Sequence, residues 1–272
     1  DIWVRYQRLY GNNCTYVCAD DAHGTPIMLK AEELNISPEE LIDQVYDDHK
    51  SSFKAYRISH DNFHSTHSEE NKILSERIFK SLESKNLIEK KIINQLYDTE
   101  RKMFLSDRYV KGDCPNCGAE DQYGDNCEKC SATYNAIELK NPISVLTGTK
   151  PIIKESEHLF FKLSELKEEI NTWLNNSRVQ EPVKNKLNEW LKGELKDWDI
   201  SRDSPYFGFK IPGYEDKYFY VWLDAPIGYL ASHLNYLQKN DHYSDFENFW
   251  NPSSDSEVFH FIGKDIMYFH TL

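Results

Sequence analysis

Apolar and polar residues along the first 86 positions follow the order of a helix, a strand and then further helices. Ile2, Tyr6 and Leu9 recur at helical spacing and predict a first helix over residues 2–10, with Gly11 just beyond its end. A short apolar run at residues 15–19 predicts a strand. Three later segments carry residues that begin helices, namely Thr25-Pro26, the capping box Ser37-Pro38-Glu39-Glu40, and Ser68-Glu69-Glu70-Asn71.

The pattern changes after residue 86 and returns near residue 206. The middle part contains β-like pieces, a cysteine cluster and two polar helices, at about 164–176 and 181–192. The last part predicts a strand at 217–223, a helix at 226–237, a strand at 258–262 and a helix that begins near 265. The simplest account is one α/β domain made of residues 1–86 and 206–272, interrupted by an insertion of residues 87–205. Two or three domains in series remain the alternative.

Composition and charge narrow the class of protein. The 272 residues carry a formal charge of −13, and 39% of them are hydrophobic and 14% aromatic, which excludes a disordered chain. Each of the three parts is acidic, so a protein that coats nucleic acid is disfavoured. The chain shows no apolar run of membrane-spanning length and no secretory signal, so we expect neither a membrane nor DNA as a partner.

Four of the six cysteines form two Cys-x-x-Cys pairs, nine residues apart: Cys114 and Cys117, then Cys127 and Cys130. Two such turns facing each other offer four thiolates in a tetrahedron, which is the coordination that structural zinc prefers. Iron in the same site, disulfides and free thiols are the alternatives. A closed site of four thiolates leaves no open position, so we expect the metal to be structural rather than catalytic.

The segment Asp20-Asp21-Ala22-His23-Gly24-Thr25 follows the first predicted strand, where an open α/β sheet places its ligand contacts. Two adjacent acids on an extended chain point in different directions. One of them can therefore face the cleft and bind an ammonium group, while the other caps a helix or forms an ion pair. The alternative is that both acids cap the next helix. His23 is a candidate base or phosphate contact, or a packed side chain.

The most aromatic segment is Tyr218 to Tyr229, with the sequence YFYVWLDAPIGY. Strand alternation would put Tyr218, Tyr220 and Trp222 on one face, and a helix opening at Ala225 and Pro226 would bring Tyr229 close to Trp222. Such an aromatic wall suits an apolar, polarizable group such as a thioether. An ordinary aromatic core is the alternative.

The order DDAHGT, two cysteine knuckles, WDISRD, YVWLDAPIGY and FIGKDI resembles methionyl-tRNA synthetases of the zinc-knuckled bacterial type, over the whole chain. The resemblance implies an α/β class I Rossmann-type parallel sheet interrupted by a zinc-binding connective-peptide insertion. It also implies a cytoplasmic ligase that joins methionine and ATP, with Mg²⁺, into methionyl-adenylate and transfers methionine to tRNA(Met).

Site roles carry over where this sequence matches the family motifs. The resemblance implies that Asp21 pairs with the methionine ammonium group and that Arg202 lies near the amino-acid site and can pair with Asp21. It implies a thioether pocket formed by Trp222, Ala225, Pro226, Tyr229, Ile266 and His270. It implies ATP contacts at Gly263 and Asp265 and, less directly, at His23. The zinc ligands are Cys114, Cys117, Cys127 and Cys130.

Two motifs of the family, the HIGH type and the KMSKS type, do not occur in these 272 residues. They carry the family's ATP phosphate chemistry, so we expect a central fragment that does not form methionyl-adenylate alone and that meets tRNA mainly through other regions. A zinc-stabilised binding or scaffold module, derived from a class I synthetase without its chemistry, is the competing function.

Overall fold

The computed structural model of the protein describes residues 1–177, 179–263 and 266–271. Its helices are α1 (Ile2–Leu9), α2 (Thr25–Leu34), α3 (Pro38–Ala55), α4 (Glu69–Ser84), α5 (Lys167–Asn176), α6 (Glu181–Lys192), α7 (Val221–Lys239), α8 (Asp245–Phe249) and α9 (Met267–Thr271). Its strands are β1 (Val17–Asp20), β2 (Asn62–Ser65), β3 (Ile88–Asp98), β4 (Met103–Phe104), β5 (Val110–Asp113), β6 (Gln122–Tyr123), β7 (Lys140–Ser144), β8 (Ile152–Phe161), β9 (Trp198–Asp199), β10 (Ser201–Asp203) and β11 (Lys217–Phe219).

The predicted helix starts are confirmed where local hydrogen bonds define them. Ser37 accepts from the Glu40 backbone N–H, and the Glu40 carboxylate accepts from the Ser37 N–H, which completes the capping box of α3. Ser68 caps α4 by accepting from the Asn71 N–H. These caps satisfy N–H groups that the first turn of a helix leaves unpaired, which is why sequence alone located them.

Two strand predictions are wrong. Residues 258–262 form no strand, because no neighbouring strand in the described part of the chain offers them a backbone ladder. Two of their rings, Phe259 and Phe261, contact Trp3 instead. The strand predicted at 217–223 ends at Phe219, because α7 begins at Val221, earlier than the predicted Ala225-Pro226 start. Pro226 is therefore inside the helix.

Strands β1 and β2 are parallel neighbours, and α7 packs against both of them and against α4. Leu74 of α4 and Ile227, Ala231 and Leu234 of α7 are buried together in this interface. Because parallel strands place their carboxyl ends at one edge, the loops after β1 and β2 meet beside the first turns of α7. This edge carries the candidate site.

The segment 87–205 contributes two antiparallel sheets, with the strand orders β4-β3-β8-β9 and β6-β5-β7. The second sheet adjoins the two cysteine turns. Strands β10 and β11 pair with each other and connect this segment to α7. None of the helices in the described part of the chain combines the length and the apolar character that crossing a membrane requires.

Gly228 marks the closest approach between α7 and the loop after β2. A Cβ at this position would lie 2.8 Å from Thr66 Cγ2. Gly228→Ala would gain about 1 kcal/mol of helix propensity, but overpacking costs about 1–3 kcal/mol. We expect a net loss of stability of about 1 kcal/mol, measured by urea unfolding. Adding Thr66→Ser, which removes only the methyl group, should restore most of the loss, and a double variant no more stable than Gly228→Ala would refute the contact.

Candidate active site and metal centre

One face of α7 carries the four residues predicted to line the thioether pocket. Trp222, Ala225, Pro226 and Tyr229 stand at positions i, i+3, i+4 and i+7, and all are half-buried. They share a face because of helical spacing and not, as strand alternation suggested, because of an extended segment. The opposite face of α7, including Asp224 and Ile227, is buried.

Helix α9, near the end of the described chain, packs against this face of α7. The Tyr229 hydroxyl and His270 Nε2 share a hydrogen bond of 2.9 Å, and His270 Nδ1 donates to the Ile266 carbonyl at 2.9 Å. Trp222 stacks on Phe269 with 4.7 Å between ring centroids and 17° between ring planes. The structure therefore links the other two predicted pocket positions, His270 and Ile266, to the α7 face that carries the first four.

Asp21 is the acid of the DDAHGT loop that has no cationic partner. Its neighbour Asp20 pairs with His49 Nδ1 at 2.8 Å, whereas Asp21 forms no ion pair within the part of the chain that the structure describes. The alternative that both acids cap the next helix does not hold, because the N-cap of α2 is Gly24 and no side chain caps that helix. The side chain of Asp21 is exposed to solvent, although nearby protein atoms partly desolvate its carboxylate.

Desolvation by these surroundings, and secondly the charge of Asp224, raises the pKa of Asp21 to about 6. The charge of Asp21 in turn contributes to the raised pKa of Tyr229, after burial and the charge of Cys18. Asp21 and the tyrosine of the aromatic face therefore share one electrostatic environment. A carboxylate that forms no ion pair among the described residues, on a loop joined to the helix with the aromatic face, is suited to bind an ammonium group attached to an apolar side chain.

His23 lies inside the protein rather than at a surface where it would contact ATP. Its side chain has no exposed surface, its Nδ1 donates to the carboxylate of Asp224, and its Nε2 shares a hydrogen bond of 2.9 Å with His67 Nδ1. Asp224 is also fully buried. The structure thus assigns His23 to a buried polar chain that joins the loop after β1 to α7.

Arg202 has partners other than Asp21 in this structure. Its guanidinium donates to the Asp199 carboxylate at 3.1 Å and stacks over the Tyr220 ring at 3.6 Å. The cause is the antiparallel pairing of β10 with β11, which places Arg202 opposite Tyr218 and beside these two groups.

Of the predicted ATP contacts, Gly263 is exposed and accepts, through its carbonyl, the Ile266 N–H at 3.3 Å. Asp265 lies outside the described residues.

The four predicted metal ligands converge on one point. The Sγ atoms of Cys114, Cys117, Cys127 and Cys130 all lie within 4.8 Å of one another. The Cys114–Cys130 and Cys117–Cys127 sulfurs are 3.9 Å and 3.7 Å apart. A tetrahedron with Zn–S bonds of about 2.3 Å has edges of about 3.8 Å, so the set fits zinc. No disulfide joins them.

Backbone groups complete both turns. The Cys117 N–H donates to Cys114 Sγ and the Cys130 N–H donates to Cys127 Sγ, which stabilises negative charge on sulfur. The residues after each turn, Gly118 and Ser131, both have positive φ, 74° and 58°. The cysteine cluster could therefore hold a metal ion without rearrangement.

The sequence profile described as tRNA synthetases class I (M) matches residues 1–272, the whole chain. The chain belongs to the class I tRNA synthetase family. Two crystal structures of Mycobacterium tuberculosis methionyl-tRNA synthetase with methionyl-adenylate are similar in fold. Both are 22% identical, with TM-scores of 0.69 and 0.65, and in each the match covers 98% of this chain and 47% of the other. The α/β fold is thus that of a class I synthetase, and the chain spans about half the length of these structures.

Sequence reasoning missed several residues of the synthetase site. Asp224, Thr66 and His67 join its loops, and Phe269 stacks on Trp222. One signal was available for Asp224, since an acid within the apolar run VWLDAPI of a family motif must have a buried partner. No local pattern indicates Thr66, because its role arises only where two loops meet.

Proposed function

We propose that this chain supplies the amino-acid side of a methionine–tRNA ligase, which activates methionine with ATP and transfers it to tRNA(Met). The observation that carries the proposal is the Asp21 carboxylate, which forms no ion pair among the described residues and lies on the loop that His23 joins to Asp224 of α7. The family membership of the whole chain and the fold shared with methionyl-tRNA synthetases support it. A cytoplasmic location, where tRNA charging takes place, belongs to the same proposal.

The roles follow from the geometry. Asp21 accepts hydrogen bonds from the methionine ammonium group, and ionisation of Asp21 is favoured when that cation neutralises it. Trp222 and Tyr229 cover the thioether chain, with His270 fixing the Tyr229 hydroxyl. With the amino acid held at both ends, its carboxylate is presented to the α-phosphorus of ATP, so the protein's contribution is orientation and charge stabilisation.

Selectivity follows from shape. An apolar pocket separates two side chains that differ by one methylene by only about 1–3 kcal/mol of binding free energy. We propose that the stacked Trp222 and Phe269 rings set the depth of the pocket and so provide much of this difference.

We further propose that residues 1–86 and 206–272 form one catalytic domain and that 87–205 is its insertion. Support comes from the packing of α7 against α4, β1 and β2, and from two sheets whose strands all lie within 87–205. The cysteine cluster would hold one structural zinc ion, which stabilises the turns around β5, β6 and β7.

Activation requires the ATP phosphate groups to be bound as well, and we propose that this depends on segments carrying the HIGH-type and KMSKS-type motifs. We therefore expect the 272-residue chain to show no methionine-dependent ATP–pyrophosphate exchange. A longer form that includes both motifs should show it, with selectivity for methionine over leucine. ATP–pyrophosphate exchange by the 272-residue chain alone would show that activation does not depend on the HIGH-type and KMSKS-type segments. A longer form that shows no exchange with methionine would refute the proposed ligase.

A further inference from the structure

Backbone contacts fix the loop on both sides of Asp21. The Thr66 N–H donates to the Asp20 carbonyl at 2.9 Å, and the Thr66 hydroxyl oxygen accepts the Ala22 N–H at 2.8 Å. The Gly24 N–H donates to the Phe207 carbonyl at 2.9 Å. These three hydrogen bonds hold the backbone on both sides of Asp21 and so restrict the position of its carboxylate.

The remaining anchor of this loop is the side chain of Asp224. Its carboxylate accepts from His23 Nδ1, and its backbone carbonyl accepts from Asn71 Nδ2 at 3.2 Å. The same Asn71 amide donates to the Thr66 carbonyl at 2.8 Å. Asp224 therefore ties α7 to the loop after β1 through His23 and to the loop after β2 through Asn71.

Burying the Asp224 carboxylate in this position lowers the stability of the folded protein. Asp224 is fully buried, only one of its two oxygens has a partner among the described residues, and no Lys or Arg pairs with it. Burial raises its pKa, while the hydrogen bond and charge of His23 act against the rise. An apolar side chain would pack on this face of α7 at lower cost. The residue is therefore better explained by what it holds in place than by a gain in stability.

We propose that Asp224 is a positioning residue for amino-acid recognition: through His23 it holds the loop of residues 20–24 against α7, and so fixes the place of Asp21 relative to Trp222 and Tyr229 on that helix. The geometry of the contact carries the inference. It rests on the proposed function only for the identity of the ligand as methionine.

The pKa of Asp21 is sensitive to the charges that surround it. They come from Asp20 and His23 on its own loop and from Asp224 on α7, where Tyr229 also lies. The charge of Asp224 raises the pKa of Asp21, and His23 lowers it. Removing Asp224 should therefore lower the pKa of Asp21, and removing His23 should raise it. These shifts report that the three charges lie close together, and exchange of the Ala22 amide, which bonds to Thr66, reports whether the loop is held in place.

The test uses Asp224→Asn and His23→Gln in the 272-residue chain, with Asp98→Asn as the matched control. Asp98 is equally buried, and its carboxylate accepts from the Glu100 and Arg101 N–H groups in the insertion, away from Asp21. The measurements are the titration of the Asp21 carboxyl carbon by NMR and the hydrogen exchange of the Ala22 amide.

We expect Asp224→Asn to lower and His23→Gln to raise the midpoint of the Asp21 titration. We expect both to speed exchange of the Ala22 amide by about tenfold, and Asp98→Asn to change neither. Unchanged titration and exchange in the two site variants, or equal changes in the control, would overturn the proposal.

Methionine binding separates this inference from the proposed function. In a form that binds methionine, Asp224→Asn should weaken that binding by about tenfold and leave ATP affinity unchanged. If no form binds methionine, the proposed function fails, while titration and exchange still decide the role of Asp224. If binding of methionine is unaltered in Asp224→Asn, the positioning role fails and the proposed function stands.

Discussion

Replacing Asp21 by Asn is expected to lower the efficiency of methionine activation by about 30-fold or more, equivalent to about 2 kcal/mol. The variant keeps the size of the side chain but removes the charge that pairs with the substrate ammonium group. Because Asp21 forms no ion pair among the described residues, we expect its charge to be available to the ligand. The measurement is kcat/KM for methionine in ATP–pyrophosphate exchange, with the HIGH-type and KMSKS-type segments present.

The same role of Asp21 predicts in which direction methionine affinity changes with pH. The pKa of Asp21 is raised to about 6, so the carboxyl group gains a proton as the pH falls through 6 and the free protein loses its ammonium-binding charge. Methionine affinity should therefore fall between pH 7 and pH 5 in the native protein and vary much less in Asp21→Asn.

Asp20→Asn is the matched control, since Asp20 is adjacent in sequence but already pairs with His49. Near-normal kinetics for Asp21→Asn, or an equal defect in Asp20→Asn, would rule out Asp21 as the ammonium partner.

Replacing Cys117 by Ser should remove most of the bound zinc and destabilise the cysteine turns by about 3 kcal/mol or more, because structural zinc contributes about 10–16 kcal/mol of binding free energy. Serine is a poor zinc ligand beside three thiolates, and Cys114 and Cys127 are buried, so their charge needs the metal. The measurements are metal content by mass spectrometry and the thermal unfolding midpoint.

Cys14→Ser is the control, because Cys14 lies outside the cluster. It should retain one zinc ion per chain. Full metal content in Cys117→Ser would contradict the assignment of four cysteine ligands, and iron rather than zinc in the native protein would favour the alternative metal.

The N-terminal segment and the insertion show how far sequence can predict this fold. Caps at Ser37 and Ser68 and the two polar helices of the insertion were located because their signals lie within a few residues. The extended segment at 258–262 was predicted as a strand from its composition alone. A strand also needs a neighbour to bond, and that partner is not visible in a local pattern.

The aromatic segment of residues 218–229 was predicted only in part. Its residues were identified as one wall, but for the wrong local reason, since a strand was expected where α7 begins. The prediction survived because positions 222, 225, 226 and 229 also share one face of a helix. The observed contact of Arg202 with Asp199 was not predicted, because it arises from the pairing of β10 with β11.

The sequence by itself determined the four cysteines that could hold a metal ion and the family, because knuckle spacing and motif order are local or ordered along the chain. It also determined the acidic net charge of −13. Only the tertiary structure joined His23 to Asp224, 201 residues away, and Tyr229 to His270, 41 residues away. Such contacts form where folding brings separate elements together, and no spacing rule along the chain encodes them.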